Sequence, residues 1–235
     1  MKHVLTNWVL GKSPIISITE DDYLDLQNCQ TCLYELLLIE QKYDNIIENY
    51  LEYENYLMDV AHRNTVNRNF IWTSMRDASN TIQRKIMNLL NSSKAFIEQS
   101  MHHLKMILPD EPKSGEEYKS FISDLYDNYL GYRVMEALRN HSQHFNFPAP
   151  HLSINMQRVD RSTHNQLLIS VTPSISVKDI SKNKKFKRSI LSEIKVIGDL
   201  ADIKPLLREY VSCISRVLIF LRGITKDQKN HVGIG

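Results

Sequence analysis

The feature that most constrains this chain is a spacing of apolar residues that fits an α-helix over many turns. From about Asp22 to Val60, apolar side chains recur at intervals of three, four or seven residues; they are Leu26, Cys29, Leu33, Leu36, Tyr43, Ile47, Tyr50 and Leu57. An α-helix turns once every ~3.6 residues, so this spacing places them all on one face. The sequence therefore predicts a long amphipathic helix that must bury this face against other helices.

Two further segments carry the same helical spacing. The first runs from Met75 to Leu108 and is stopped by Pro109, because proline lacks the amide hydrogen that a helix interior needs. The second begins at Ser114, which with Glu117 resembles a capping box, and runs to about Phe145. We therefore expect three long helices in the first two thirds of the chain.

The period of the apolar residues then changes from 3.6 to 2. Residues Leu152 to Met156 and Leu167 to Val171 alternate between apolar and polar, with a polar stretch between them. Alternation of this kind is typical of strands that bury one face. It predicts a two-stranded antiparallel β-hairpin.

Two helical patterns follow the hairpin. One covers Ile190 to Ile197, with Gly198 as its stop, and the other covers about Asp202 to Arg222, with Gly223 as its C-terminal cap. Together the patterns predict a mainly α fold. It is a bundle of long helices with one inserted antiparallel β-hairpin and C-terminal helices.

Length and composition limit the class of protein. The chain has 235 residues, 42% of them hydrophobic and 24% charged, which predicts a globular fold and enough buried surface to need neither disulfides nor a structural metal. We expect a helical domain over residues 1–150, with the hairpin and two C-terminal helices of residues 151–235 packed on it. No apolar run approaches the ~20 residues of a membrane span. Three cysteines and the lack of a signal-peptide pattern indicate the cytoplasm and no membrane partner.

The charge is unevenly spread, although the net charge is only +2. Residues 20–54 hold ten carboxylates and one basic residue, Lys42, whereas residues 178–195 hold seven basic residues and two acidic ones. Such asymmetry indicates either an anionic partner or two solvated faces that attract each other within a dimer. The sequence leaves both interpretations open.

Most catalytic motifs are missing from the sequence. It contains no glycine-rich phosphate loop, no nucleophile elbow and no paired-cysteine zinc site. Cys29 and Cys32 form a lone C-x-x-C on the apolar face of the first predicted helix. We interpret them as ordinary buried cysteines, with a redox or metal-binding pair as the alternative.

One polar cluster stands out at the end of the third predicted helix. Arg139, Asn140, Gln143 and His144 follow several apolar turns and precede a proline-marked exit at Pro148. Such a cluster could open onto a cleft. The alternative is a polar helix cap, since the negative end of the helix dipole favours arginine and histidine.

The segment Leu138-Arg139-Asn140-His141-Ser142-Gln143-His144 resembles the Arg-x4-His signature of HEPN-type ribonucleases, which are found in toxin–antitoxin, abortive-infection and CRISPR-associated effectors. The stretch Asn88–Lys94 is similar to a segment that accompanies this motif in some bacterial members. The resemblance covers residues 69–150. It implies an all-helical domain that dimerises so that two motifs face each other, metal-independent RNA cleavage, and control by an antitoxin or another regulatory protein.

The resemblance, read with RNA chemistry, implies a role for each of these residues. Because RNA carries its own nucleophile, the 2′-hydroxyl, an enzyme needs only a base, an acid and positive charge at the phosphate. His144 can act as base or acid near neutral pH, and Arg139 offers a guanidinium that fits phosphate oxygens. Asn140 and Gln143 share helix faces with these two residues and can orient them, and His141 is a further supporting residue. One histidine cannot easily serve as both acid and base, so a two-fold dimer would supply the second.

This scheme uses no cofactor and no metal, and its partners are an RNA substrate and a second copy of the chain. The residues expected to bind RNA outside the motif are Lys182, Lys184, Lys185, Lys187 and Arg188. A metal site formed by His141, His144 and His151 is an alternative, but no nearby carboxylate or cysteine completes it. The alternative function is a non-catalytic dimeric helical scaffold that binds RNA or a partner protein.

Overall fold

A computed structural model describes residues 3–7, 11–66, 72–109, 111–144, 150–158, 167–183 and 186–226. The helices are α1 (Glu20–Val66), α2 (Trp72–Ile107), α3 (Pro112–Asn128), α4 (Leu130–His144), α5 (Val177–Ser181), α6 (Arg188–Ile197) and α7 (Ile203–Ile224). The strands are β1 (His3–Thr6), β2 (Ile15–Ile18), β3 (His151–Arg158), β4 (Leu167–Ser176) and β5 (Leu200–Asp202). The mainly α fold predicted from the sequence is confirmed.

The two longest helices, α1 and α2, pack side by side in opposite directions. Glu52 of α1 accepts a hydrogen bond from Lys85 of α2 at 2.9 Å. Seventeen residues earlier on α1, a carboxylate oxygen of Glu35 lies 2.5 Å from Nδ1 of His103, which is eighteen residues later on α2. The predicted apolar face of α1 is wrong at most positions, because the apolar residues that α1 buries are Cys32, Ile39, Ile46, Tyr53, Leu57 and Val60. Of the predicted residues only Leu57 is buried; Leu36, Tyr43, Ile47 and Tyr50 flank the buried face and are half-buried, and Leu26 is exposed.

Helix α7 lies against α1 on one side and α4 on the other. Arg208 and Arg222 of α7 each donate two hydrogen bonds to a carboxylate of α1, Glu54 for the first and Glu40 for the second. Helices α2 and α3 complete the bundle. The two arginines fix α7 at two levels along α1.

Strands β3, β4 and β5 form one antiparallel sheet in that order. β3 pairs with β4 along its whole length, from His151 opposite Ser174 to Arg158 opposite Leu167. The predicted hairpin is confirmed, whereas the short third strand β5 is not predicted. The sheet packs on α1 and α7, and a single core cluster takes residues from both sides of Pro150.

The third predicted helix is wrong in one respect, because the structure divides it into α3 and α4. Tyr129 separates the two helices with an extended backbone, φ −118° and ψ 116°. Its amide still donates to the carbonyl oxygen of Leu125, which closes α3. Neither proline nor glycine occupies this position, so the sequence carries no strong signal for the break.

Two of the predicted helix ends are also corrected. Ser114 is not the N-cap of α3, because Pro112 takes the first helical position and Glu111 the cap, and the Ser114 hydroxyl donates back to the Glu111 carbonyl oxygen at 2.7 Å. Gly223 lies inside α7 and lacks the positive φ of a C-terminal cap. Gly198 does end α6, with φ 143°.

Besides β5, two further short elements were not predicted, the β1–β2 hairpin and helix α5. Each strand of the hairpin has four residues, too few for an alternating pattern to be distinct. The hairpin rests on the start of α1, where the His3 ring stacks on Tyr23 with centroids 4.3 Å apart. Within the described ranges, no helix is both long and apolar enough to cross a membrane.

Candidate functional site

Helix α4 holds the polar cluster at the edge of the core. Its inward face buries Tyr132, Val134, Met135 and Leu138, which fixes the helix against α2 and α7. The turns of α4 after Leu138 have no such buried apolar face. Asn140 and Gln143 are exposed there, whereas Arg139 is half-buried.

The Arg139 guanidinium carries a charge that no described carboxylate compensates. Its Nε is buried and has no hydrogen-bond partner among the described residues. One Nη donates weakly to the amide oxygen of the neighbouring Asn140, at 3.4 Å. The backbone at this position is held by the Ser142 hydroxyl, which donates to the Arg139 carbonyl oxygen at 2.6 Å. A half-buried cation without an anionic partner is suited to bind an anion from solution.

His144 is the last residue of α4, and its side chain lies outside the part of the chain that the structure describes. Its position relative to Arg139 therefore stays a prediction. The same holds for Lys184 and Lys185, which fall between described segments.

His141 joins the motif helix α4 to the basic segment, which comprises residues 178–195. Its Nδ1 lies 2.6 Å from the side-chain nitrogen of Asn183, just beyond α5. Its ring meets the Phe186 ring edge-on, with centroids 6.0 Å apart. His141 thus holds the middle of the basic segment against α4.

The described basic residues of this segment are exposed and differ in their contacts. Lys182 donates to Asp179 at 2.6 Å, and this hydrogen bond lowers the pKa of the Asp179 carboxyl. Lys187 donates to the Tyr126 hydroxyl at 3.0 Å and lies over its ring, while Arg188 is exposed at the start of α6. Lys187 and Arg188 can therefore offer positive charge to a partner without breaking a salt bridge to a described residue.

Sequence reasoning missed a buried polar network one turn before Arg139. Glu136 is only 8% exposed, and its two carboxylate oxygens accept hydrogen bonds from the Tyr210 hydroxyl at 3.1 Å and from Lys94 at 3.4 Å. The pKa of Tyr210 is raised well above its usual value; burial is the largest cause and the nearby Glu136 charge is the second. Lys94 ends the Asn88–Lys94 stretch, so the network places that stretch of α2 directly against the motif helix.

A second buried pair, Glu35 and His103, lies elsewhere on α1 and α2. Nδ1 of His103 is 2.5 Å from the Glu35 carboxylate, and Nε2 of the same ring is buried and meets no partner in the described part of the chain. His103 lies nine residues beyond Lys94 on α2, or ~13 Å along the helix. This pair therefore belongs to the contact between α1 and α2 and not to the motif.

The cysteines and the candidate metal ligands show no built site among the described residues. Cys29 is half-buried and Cys32 buried, both are free thiols, and burial raises the pKa of Cys32. No cluster of three or more His, Cys, Asp or Glu residues that could hold a metal occurs there. His151 lies 3.8 Å from the Asp179 carboxylate.

The end of α4 thus combines an uncompensated guanidinium, two exposed amides and an adjacent exposed basic segment. Guanidinium, amide and ammonium groups are the donors with which proteins generally contact phosphate oxygens. Comparisons of the chain with protein-family models, curated proteins and solved structures found no match.

Proposed function

We propose that this chain is a metal-independent endoribonuclease of the HEPN type, which cleaves RNA through attack of the 2′-hydroxyl on the neighbouring phosphate. We propose further that it acts in the cytoplasm as a bacterial toxin or antiphage effector. An antitoxin or another regulatory protein would then hold it in check.

The observation that carries the proposal is the unpaired charge of Arg139. Its guanidinium is half-buried at the end of α4, and no described carboxylate pairs with it. A purely structural arginine in such a place is ordinarily paired, because burial of an unpaired charge is costly. A phosphate oxygen would satisfy both the charge and the buried Nε–H, and bidentate contact is the geometry that guanidinium favours.

The neighbouring residues supply the rest of the chemistry. His144 is the proposed general acid–base, and Asn140 and Gln143 orient the catalytic side chains and hydrogen-bond the substrate. His141 holds the basic segment beside the motif through Asn183. A second copy of the chain supplies the second histidine, so that one acts as base and the other as acid.

The basic segment offers the path for the rest of the RNA. Lys182, Lys187 and Arg188 are exposed beside α4, and Lys184 and Lys185 belong to the same stretch of sequence. Backbone phosphates are bound by such residues without regard to base sequence. We expect their replacement to weaken binding, more at low salt than at high salt, while leaving the chemical step intact.

The test is incubation of the purified protein with RNA and with single-stranded DNA of the same sequence, in excess EDTA. We expect cleavage of RNA alone, because DNA lacks the nucleophile, and products that end in a 2′,3′-cyclic phosphate or its hydrolysis product. His144→Ala should slow cleavage by about 10² to 10⁴. Arg139→Lys should also be severely impaired, because an ammonium cannot reproduce the bidentate contact.

Matched variants separate these effects from general damage. His102→Ala removes an exposed histidine on α2, and Arg222→Lys makes the same change as Arg139→Lys in a residue paired with Glu40. Both controls should cleave RNA at the wild-type rate. Cleavage that needs a metal ion, equal cleavage of DNA, or full activity in His144→Ala would contradict the ribonuclease and favour the non-catalytic scaffold.

A further inference from the structure

The apolar face that the sequence predicts on α1 has two parts in the structure. The part from Tyr43 to Tyr50 lies beside α7, where the Tyr43 hydroxyl is 2.8 Å from the Ser215 hydroxyl. The part nearer the start of α1 consists of Leu26, Cys29, Leu33 and Leu36. We call these four residues the open stripe, because Leu26 is 47% exposed and the other three are only half-buried.

Helix α7 ends where the open stripe begins. The two helices run in opposite directions, and Ile224, the last residue of α7, is two residues beyond the Arg222 that pairs with Glu40. Helix α2 ends nearby, because Ile107 is only four residues beyond the His103 that contacts Glu35. The first three turns of α1, about 16 Å, therefore extend past the ends of both neighbouring helices.

The spacing of the open stripe shows what kind of element fits it. Its successive residues are three, four and three positions apart, which is the spacing by which one helix packs along another. The stripe also continues the line of Tyr43, Ile47 and Tyr50, beside which the chain places α7. The same side of α1 thus holds a helix at one end and lacks one among the described residues at the other. The element that fits is a helix that lies end to end with α7.

Charge selects the chemistry of that helix. Residues 20–41 contain no lysine and no arginine. Asp22 and Asp25 each lie one turn before a residue of the open stripe, Leu26 and Cys29 respectively, and so share its side of the helix. Both carboxylates are exposed, and no described basic residue pairs with either. A helix on the open stripe would need basic residues to match them.

The contact between α1 and α7 is a template for such pairing. Arg208 and Arg222 of α7 each donate two hydrogen bonds to a carboxylate of α1, Glu54 and Glu40 respectively. The chain therefore already joins apolar residues of α1 to a helix whose arginines meet the carboxylates beside them.

The same charge argues against other occupants. An RNA backbone and an anionic membrane surface are negative and would be repelled by the acidic start of α1. The open stripe of a second copy would bring a like negative charge without any basic residue to offset it.

We propose that the open stripe binds an amphipathic helix of another protein, one that carries apolar residues at heptad spacing and arginine or lysine residues beside them. The apolar residues cover Leu26, Cys29 and Leu33, and the basic residues pair with Asp22 and Asp25. This inference goes beyond the proposed function. It rests on α1 and its neighbouring helices and uses neither Arg139 nor RNA cleavage.

The probe is a labelled synthetic peptide of three heptads, with leucine at the two core positions, arginine at the positions that flank them and alanine elsewhere. A second peptide carries glutamate in place of arginine. Fluorescence anisotropy measures the binding of each peptide to the full chain. We expect the arginine peptide to bind at least about tenfold more tightly than the glutamate peptide, and to bind more weakly as the salt concentration rises.

Variants of exposed residues locate the binding site. Leu26→Lys should weaken binding of the arginine peptide at least about tenfold, because it puts a positive charge into the apolar contact. Leu24→Lys is the matched control: Leu24 is 50% exposed but lies about 200° around the helix from Leu26, so its variant should bind like the wild type. Asp25→Asn should weaken binding and reduce its dependence on salt.

Alkylation of the thiols gives a second measurement. Cys29 is half-buried, whereas Cys32 and Cys213 are buried. Iodoacetamide should therefore label Cys29 first, and the arginine peptide should slow that labelling because it covers the open stripe.

Three results would overturn the proposal: equal binding of the two peptides, full binding by Leu26→Lys, and binding only after residues 227–235 are deleted. The last would assign the open stripe to the chain itself. Loss of self-association in Leu26→Lys would assign it to a second copy and would also overturn the proposal. An inactive protein that binds the arginine peptide through the open stripe would contradict only the ribonuclease, and an active protein that binds neither peptide would contradict only this inference.

Discussion

At the residue scale, Gly131 sets how closely the motif helix approaches α7. A Cβ atom there would lie 2.4 Å from the backbone oxygen of Leu206 and within 3 Å of Glu209. The Gly131 amide also donates to the Glu209 carboxylate at 2.5 Å. The first turn of α4 therefore rests directly on α7 because this position has no side chain.

We predict that Gly131→Ala lowers the free energy of unfolding by about 1–3 kcal/mol, because the clashing Leu206 oxygen belongs to the backbone and cannot move aside. Gly223→Ala is the control, since a Cβ there would meet nothing within 4 Å and the residue lies inside a helix. It should raise stability by about 0.5–1 kcal/mol. Urea denaturation of both variants measures this. Equal effects in the two would contradict the packing described.

The same scale shows which residues of the candidate site can be predicted from the sequence. Arg139, Asn140 and Gln143 were predictable, because they are polar residues clustered where an apolar helical pattern stops. Glu136 was not, because its partners Lys94 and Tyr210 are 42 and 74 residues away in the chain. A single carboxylate in an apolar helix gives no sign of which distant groups will satisfy it.

At the element scale, the long helices were predictable and the junctions between them were not. Periodicity locates α1, α2, α6 and α7 because each repeats the same apolar face over several turns. The break at Tyr129 depends on how α3 and α4 each fit against α7, and the pairing of α7 with α1 depends on residues more than 150 positions apart. Contacts between residues so far apart cannot be predicted from the local sequence pattern.

The Glu54–Arg208 pair between α1 and α7 predicts a dependence of stability on pH. Burial acts to raise the pKa of Glu54, but the hydrogen bonds from Arg208 and Tyr50 outweigh it, so the pKa lies below its usual value. A lowered carboxyl pKa stabilises the fold above the unfolded-state pKa of about 4.3, and this contribution is lost as pH falls through the folded-state pKa. Because Arg208 is 57% exposed, we expect solvent screening to limit the contribution to about 1 kcal/mol.

We therefore predict that Arg208→Gln lowers the unfolding free energy by up to about 1 kcal/mol at pH 7, and that its difference from the wild type shrinks below pH ~4. Urea denaturation from pH 3 to 7 measures both. Arg63→Gln, which breaks an exposed pair with Asp59 within α1, is the control and should change little. A deficit for Arg208→Gln that stays constant down to pH 3 would show that the pair is not its cause.

At the scale of the whole molecule, four tyrosines are distributed through the bundle core, Tyr53, Tyr118, Tyr132 and Tyr210. Burial is the largest cause that raises the pKa of each phenol above its usual value. The folded state therefore keeps protons that the unfolded state gives up. The free energy of unfolding of the core therefore falls when the pH becomes alkaline.

We predict that these tyrosines add no pH dependence below pH ~10, and that stability falls as pH rises above it, since the unfolded chain then loses protons that the folded one retains. Urea unfolding from pH 8 to 11, followed by tyrosinate absorbance, measures this. About four of the eleven tyrosines should ionise only as the protein unfolds. Ionisation of all eleven in the folded protein near pH 10 would contradict the burial described.

The position of α7 has a consequence for the order of events during synthesis. Helices α1 to α4 leave the ribosome first, with the faces that will meet α7 still open to water. Only when α7 follows can Tyr210 reach Glu136, and Arg208 and Arg222 reach their carboxylates on α1. Under the proposed function, this order keeps the catalytic surface unassembled while most of the nascent chain is still being translated, beside the ribosomal and messenger RNA that a finished nuclease could cut.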